Sequence, residues 1–141
     1  MLKAGFGRRL ITPPLGTPIA GYYEKRTVKG VLDELYASAI ALSDGEKQVV
    51  IIGADVIYLT IDQAAEYRNL ISEYCNIPVE AVHINASHTH TGPKIIDDVK
   101  YREFLGIQLR DVAAMALSDL KPAKLAVAEG KAEGISFIRR Y

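Results

Sequence analysis

The sequence has little of what disulfide-bonded, membrane-spanning or cysteine-ligated metal proteins need. Its 141 residues include one cysteine, Cys75, and no tryptophan. A single cysteine excludes an internal disulfide and a cysteine-rich metal site, so we expect a structural or inert thiol. The N-terminus lacks the long apolar stretch of a signal peptide, and no apolar run approaches the ~20 residues of a membrane span. A cytoplasmic protein is the default expectation, although a removed leader or an excised fragment would look the same.

Neither sign of charge predominates. The 17 basic and 17 acidic residues cancel to a formal net charge of zero, and the charges are scattered along the chain. No electrostatic footprint for nucleic acid or for an anionic membrane surface is present. Hydrophobic residues make up 49% and charged residues 24%, which is typical of a globular domain. The length suits one compact domain, so residues 1–141 are predicted to form a single unit.

Several common catalytic and cofactor motifs are absent. The sequence has no Gly-x-Ser-x-Gly elbow, no phosphate-binding P-loop and no dinucleotide fingerprint. The pair Gly5-Phe-Gly7 lacks the third glycine and the helix of a dinucleotide site, so we interpret it as local strand geometry. Any catalytic or cofactor site of this chain therefore consists of other residues.

The first half of the chain predicts three strands. They are expected at Lys3–Ile11, Leu32–Leu42 and Lys47–Leu59. Asp44-Gly45 is a hairpin turn signal, so the second and third strands are predicted to pair antiparallel. The near-continuous apolar, β-branched run Val49–Asp55 indicates a strand buried on both faces of a covered sheet.

A helix and a further strand follow. Apolar residues recur at helical spacing from Thr60 to Tyr74, with Thr60 as N-cap and Gln63 where a capping box needs Glu or Gln. The mostly apolar run Ala81–Ala86 then predicts a strand. Strand, helix and strand in this order predict a right-handed parallel crossover.

The remaining segments complete the predicted fold. A second helix is expected at Tyr101–Leu120, because Pro122 marks its end. Ala123–Glu129 and Ile135–Ile138 are predicted as short strands. The long irregular segment 12–30 has the length of a functional lid or binding loop. The expected fold class is α/β, with a mixed sheet containing an antiparallel hairpin and a βαβ unit, and helices packed on the sheet.

Two histidines lie together at the end of a predicted buried strand. His88 and His90 are separated by one residue, and Gly92-Pro93 then stops regular structure. In an extended backbone, side chains at i and i+2 point to the same face, so both imidazoles should project into the same space. Imidazole is a common ligand of zinc and a general acid or base near neutral pH. His83 faces the opposite side and is expected to have a core or surface role.

Acidic residues near the histidines offer further candidates. Asp55 ends a central apolar run, where strand ends often carry sites; it could ligate a metal, orient a histidine or cap the following turn. Asp97 and Asp98 are expected to be solvated loop charges or helix-start residues. Two histidines do not complete a catalytic zinc site, which usually has three protein ligands. The missing ligand could be Asp55, a residue of another subunit or sequence absent from this chain.

Several segments, in order along nearly the whole chain, resemble the N-terminal domain of the neutral/alkaline non-lysosomal ceramidase family. The most specific is Ser87-His-Thr-His-Thr-Gly-Pro93, which resembles the family's Thr-His-Thr-His-Ser-Gly-Pro signature. Ile138 departs from the family's usual Asn near the C-terminus. The other matching pieces are Ala4-Gly-Phe-Gly7, Ile11-Thr-Pro-Pro-Leu-Gly16, Gly21-Tyr22, Gly30-Val-Leu-Asp-Glu-Leu-Tyr-Ala37, Asp55 and Phe137-Ile-Arg-Arg-Tyr141.

The resemblance implies a zinc-dependent amidase that cleaves N-acyl-sphingosine to sphingosine and fatty acid, so the partner would be a small-molecule or lipid amide. His88 matches a zinc ligand of the family, and His90 matches a catalytic-centre histidine near substrate. Zinc chemistry suits amide hydrolysis because the ion polarises the carbonyl and acidifies water. Family enzymes are much longer, and their other ligands (a His, a Glu and a Tyr) come from later sequence that this chain does not contain.

Three interpretations remain open from the sequence. The first is a ceramidase-like zinc hydrolase that is complete only with additional sequence or a partner subunit. The second is a non-catalytic truncated domain that keeps the fold. The third is a different small metallohydrolase using His88, His90 and Asp55. A homo-oligomer is a further expectation, because an incomplete sheet with exposed edges favours association.

Overall fold

The computed structural model describes residues 1–135, and these form a mixed sheet with two helices packed on it. The predicted α/β fold class is therefore confirmed. The strand order is β4-β3-β2-β1-β5. The elements are β1 (Lys3–Leu10), β2 (Tyr36–Ser43), β3 (Gln48–Ala54), α1 (Ile61–Cys75), β4 (Val82–Ala86), α2 (Val99–Ser118) and β5 (Lys121–Pro122).

The predicted hairpin between β2 and β3 is confirmed. The two strands pair antiparallel from Ala37↔Ala54 to Ser43↔Gln48. In the turn, the Asp44 carboxylate accepts backbone N–H bonds from Glu46 at 2.9 Å and Lys47 at 2.8 Å. These bonds stabilise the ionised form and hold the pKa of Asp44 below its usual range.

The predicted βαβ unit is also confirmed. Thr60 and Gln63 form a complete capping box at the start of α1, because each side chain accepts the other residue's backbone N–H. The helix ends where Asn76 adopts the left-handed conformation, with φ of 52°. β4 then pairs parallel to β3 in the register Val50↔Val82. This crossover brings the loops that follow β3 and β4 to the same edge of the sheet.

The core lies between the sheet and the two helices. Small residues of β2 and branched residues of β3 lie in this core, where α2 contacts both strands and α1 contacts α2 and β4. Helix α2 approaches β1 so closely that a Cβ on Gly5 would lie 2.0 Å from the Ala116 carbonyl oxygen. A glycine is therefore required at this position for α2 to reach the sheet.

The other face of the sheet is open, and the prediction that Val49–Asp55 is buried on both faces is wrong. Val49 is 41% exposed and Ile51 is 40% exposed. Ile51 lies opposite Ile40, which lies opposite Phe6, so an apolar row crosses three strands. The apolar side chains of β3 favour burial on both faces, but the two α-helices within residues 1–135 both pack on the opposite face.

The predicted strand Ala123–Glu129 is wrong. Pairing with β1 stops at Lys3↔Pro122, followed by one bond from the Ala123 N–H to the Leu2 carbonyl. The segment runs antiparallel past the N-terminal end of β1, so no strand remains beside it. Its alternating pattern is typical of a strand, but periodicity cannot supply a pairing partner.

Smaller differences concern element boundaries. The second strand begins at Tyr36 rather than at Leu32, and the third ends at Ala54 rather than at Leu59. The second helix spans Val99–Ser118 instead of Tyr101–Leu120. The short strand predicted at 135–138 falls mostly outside the described residues. Neither described helix is long and apolar enough to cross a membrane.

Candidate metal centre

The histidine segment runs alongside the loop that follows β3. The Ser87 N–H donates to the Ala54 carbonyl at 3.0 Å, and the His88 N–H donates to the Val56 carbonyl at 3.1 Å. These bonds continue the parallel pairing of β3 and β4 beyond the strands themselves. The two loops therefore hold each other in place at the carboxyl end of the sheet, where sites of α/β folds commonly lie.

His88 is fixed by its backbone and by its ring. Its φ is 61°, a left-handed conformation that is uncommon for a residue with a side chain. Its Nδ1 lies 2.8 Å from the Ile57 carbonyl oxygen. Because a carbonyl only accepts, Nδ1 is the donor in this contact, and in a neutral ring Nε2 is the nitrogen with the lone pair.

His90 is seated against the long loop between β1 and β2. Its Nδ1 donates to the Gly21 carbonyl oxygen at 3.2 Å. Gly21 has φ of +85°, and a Cβ at this position would lie 2.4 Å from His90 Nδ1. The Tyr22 ring contacts His90 edge-on, with centroids 6.3 Å apart, and the Arg26 guanidinium lies 3.9 Å from the Tyr22 ring centroid.

The two imidazoles converge, as predicted. Their Nε2 atoms are 3.4 Å apart, and their ring centroids are 5.0 Å apart. Both residues are exposed. The predicted route to this arrangement is wrong, however, because β4 ends at Ala86 and the left-handed turn at His88 replaces an extended i, i+2 pair. Imidazole nitrogens are among the donors that zinc takes, but a catalytic zinc site usually has three protein ligands.

Asp55 does not join the histidines in a three-ligand group. Its carboxylate accepts the Tyr36 N–H at 2.9 Å, and its own N–H donates to the Tyr36 carbonyl at 2.9 Å. Within residues 1–135, no three His, Cys, Asp or Glu side chains are placed to hold a metal together. The small-metallohydrolase interpretation, which needed Asp55 as third ligand, lacks that ligand in the described structure.

The other singled-out residues lie away from the pair or serve the fold. His83 is exposed on the open face of the sheet. Asp98 is the N-cap of α2, accepting the Tyr101 N–H at 2.9 Å, and Asp97 forms an ion pair with Lys94 at 2.6 Å. Cys75 is half-buried at the end of α1, and burial raises the pKa of its thiol, as suits an unreactive group.

The groups that orient the histidines were missed by sequence reasoning. They are the backbone carbonyls of Gly21 and Ile57, and every residue type carries a carbonyl. The Gly21-Tyr22 piece of the family resemblance was the only signal pointing to this part of the loop. A cavity of about 390 Å³ also reaches the histidine loop at Thr91, between Thr12 and the segment 28–33.

Comparison with known proteins gives the fold a precedent. No protein-family model matches the chain, and no curated protein matches it. The solved structure of neutral ceramidase from Pseudomonas aeruginosa matches with a TM-score of 0.72 and 18% identity. The chain has the fold of a part of neutral ceramidase. A ceramidase complexed with C2 matches similarly, with a TM-score of 0.74 and 18% identity.

The ceramidase matches cover much of this chain and little of theirs. Each covers 86% of this chain but 22% of the solved chain. The resemblance to the ceramidase family is thus confirmed at the level of the fold. The chain spans about a fifth of the length of these ceramidases.

Proposed function

We propose that this chain is part of a zinc-dependent amide hydrolase of the ceramidase type, with His88 as a zinc ligand. The observation that carries the proposal is the pair of converging Nε2 atoms, on a fold that neutral ceramidase shares. The domain assignment of residues 1–141 as the N-terminal part of such a catalytic domain, and the cytoplasmic location, belong to the same proposal.

Zinc fits the donors that this chain provides. His88 would hold the ion through Nε2, because its Nδ1 is engaged with the Ile57 carbonyl. Bound zinc supplies a Lewis acid that polarises an amide carbonyl and makes water acidic enough to attack near neutral pH. The described residues hold no group of three, so the remaining ligands would have to come from outside them, from additional sequence or from a partner subunit.

His90 is proposed to act at the reacting centre. The hydrogen bond from its Nδ1 to the Gly21 carbonyl fixes the ring, so Nε2 faces His88 and the place where substrate would bind. An imidazole fixed in this way can accept a proton from attacking water and hand one to the departing amine. The likeness to a ceramidase supports a lipid amide as the proposed substrate class.

A second candidate is a non-catalytic domain that keeps the fold. The observation in its favour is the absence of a three-residue ligand group within residues 1–135. Such a domain could bind a metal weakly through the two histidines and would hydrolyse no amide by itself. A homo-oligomer is not required by either candidate.

The two candidates are separated by hydrolysis of an N-acyl-sphingosine and of simple N-acyl amides, measured with zinc present. The hydrolase proposal expects release of the amine, which is lost in His88→Ala and retained in His83→Ala. His83 is the control because it is exposed on the open face of the sheet, away from the histidine pair. Absence of hydrolysis by the chain with zinc present would support the non-catalytic domain instead.

A further inference from the structure

The segment Ala123–Glu129 leaves the sheet as an extended chain whose backbone is largely unpaired. It continues β5, and the Ala123 N–H donates to the Leu2 carbonyl at 3.0 Å. From Lys124 to Glu129, the backbone makes no further hydrogen bond to a described residue and contains no turn or bend. Extended backbone with free N–H and C=O groups is a template for pairing with another strand.

The side chains of this segment also suit a strand. Leu125 is 74% exposed and Val127 is 90% exposed. These two residues occupy alternate positions, so in an extended backbone they lie on the same face. The run is bounded by Pro122 and Gly130 and contains neither residue type in between. Such a short alternating run is typical of a strand, and here its partner must come from outside residues 1–135.

The pairing of β5 with β1 determines which backbone groups of the segment point outward. The Ala123 N–H faces β1, so the odd-numbered residues direct their backbone groups towards that side. The even-numbered residues therefore direct theirs to the outer edge, where β5 is the last strand of the described sheet. Pro122 has no N–H, so pairing along this edge ends there. The outward groups are those of Lys124, Ala126 and Ala128.

We infer that this outer edge pairs with the same edge of a second copy of the chain, antiparallel about a two-fold axis at Ala126. In this register Ala126 lies opposite its own equivalent, and Lys124 lies opposite Ala128 of the second copy. The outward N–H and C=O groups of both copies then face one another. Leu125 lies opposite Val127 of the second copy, and symmetry forms this apolar cross-strand pair twice.

Charge complementarity favours a second copy as the occupant of this edge. Glu129 lies opposite Ala123 of the second copy, on the face that also carries Lys121 of that copy. The Lys121 side chain is 66% exposed although it contacts Asp119, so its ammonium group is free to reach a further carboxylate. Opposite charges at diagonal cross-strand positions stabilise strand pairing, and the two-fold axis makes this contact twice as well.

Amide hydrogen exchange of the intact chain over a range of protein concentrations is the direct test. The N–H groups of Lys124, Ala126 and Ala128 should exchange about tenfold more slowly when about nine-tenths of the chains are dimers, because exchange then proceeds from the monomer. The N–H groups of Leu125 and Val127 face away from the second copy and should exchange at the same rate throughout. Exchange that does not depend on concentration along 124–128 would overturn the inference, whether the chain is monomeric or associates through the open sheet face.

Two proline variants provide the second measurement. Ala126→Pro removes the central N–H in both copies and should raise the dissociation constant of the dimer roughly tenfold or more in sedimentation equilibrium. Ala132→Pro is the matched control, because Ala132 is an equally exposed alanine outside the segment. Both variants should fold as the parent chain does, since neither alanine is buried. Equal dissociation constants for the two variants would contradict the pairing, and the hydrolase proposal is judged separately, by amine release.

Discussion

Single backbone atoms determine how the histidines are arranged. The carbonyls of Ile57 and Gly21 orient the two rings, and Gly21 leaves room for one of them. The sequence could show that His88 and His90 lie close together, because they are two residues apart. It could not show that their Nε2 atoms converge, since that depends on contacts with residues 31 and 69 positions away.

At the residue scale, Gly21→Ala tests whether Gly21 leaves the space that the His90 ring occupies. Gly16→Ala is its matched control. Gly16 has nearly the same φ, +86°, but a Cβ there meets nothing within 4 Å. Gly16→Ala should cost about 1–2 kcal/mol of folding free energy from backbone strain alone. Gly21→Ala should cost more, because the added methyl also has to displace the His90 ring.

The two glycine variants are compared by urea unfolding. If Gly21→Ala and Gly16→Ala lose the same stability, Gly21 does not position His90.

At the scale of elements, short-range signals predicted the fold well and long-range ones did not. The Asp44-Gly45 turn and the Thr60 capping box depend on neighbours within three residues, and both are confirmed. The strand predicted at Ala123–Glu129 failed because its pairing depends on where β1 begins. The histidines were expected to continue the extended backbone beyond the strand, because hydropathy does not reveal the left-handed turn at His88.

Helix α2 is tied to the end of β1 by a buried phenol, and this contact should make stability depend on pH. The Tyr101 hydroxyl donates to the Ile11 carbonyl, and burial raises the pKa of Tyr101. A raised pKa in the folded state means that its stability is fully present below about pH 10, where the unfolded phenol is protonated, and is lost as pH rises further.

Tyr101→Phe should therefore lose about 1–2 kcal/mol near pH 8, because the Ile11 carbonyl is left without its donor. Above about pH 10 the variant should lose stability less steeply than the parent chain, since it has one fewer buried phenol to ionise. Urea unfolding at several pH values measures both effects. The exposed Tyr23→Phe is the control, and a slope for Tyr101→Phe equal to that of the parent would contradict the account.

At the scale of the whole molecule, one face of the sheet stays uncovered by residues 1–135. Phe6 is 60% exposed, and it continues the apolar row through Ile40 and Ile51. The sequence predicted a covered sheet from the apolar strand β3, and the structure supplies cover on one face only. A monomer rarely leaves such a surface in water, so association of the isolated chain remains a prediction.

Sedimentation equilibrium over a range of protein concentrations tests that association. The parent chain should self-associate, and Ile51→Glu should shift it towards monomer because a charge on the open face opposes its burial. Ile61→Glu is the matched control, since Ile61 is 89% exposed at the start of α1 and not on the sheet. A parent chain that is monomeric at every concentration would refute the prediction.

The central claim is that this chain carries the histidine part of a zinc site, and metal analysis of the purified protein tests it most directly. The parent chain, held in equilibrium with free zinc, should bind about one zinc per chain, weakly because it carries only part of the ligand set. His88→Ala should retain almost none, while His83→Ala should match the parent. A parent chain without bound zinc, or a His88→Ala variant with undiminished zinc, would contradict the account.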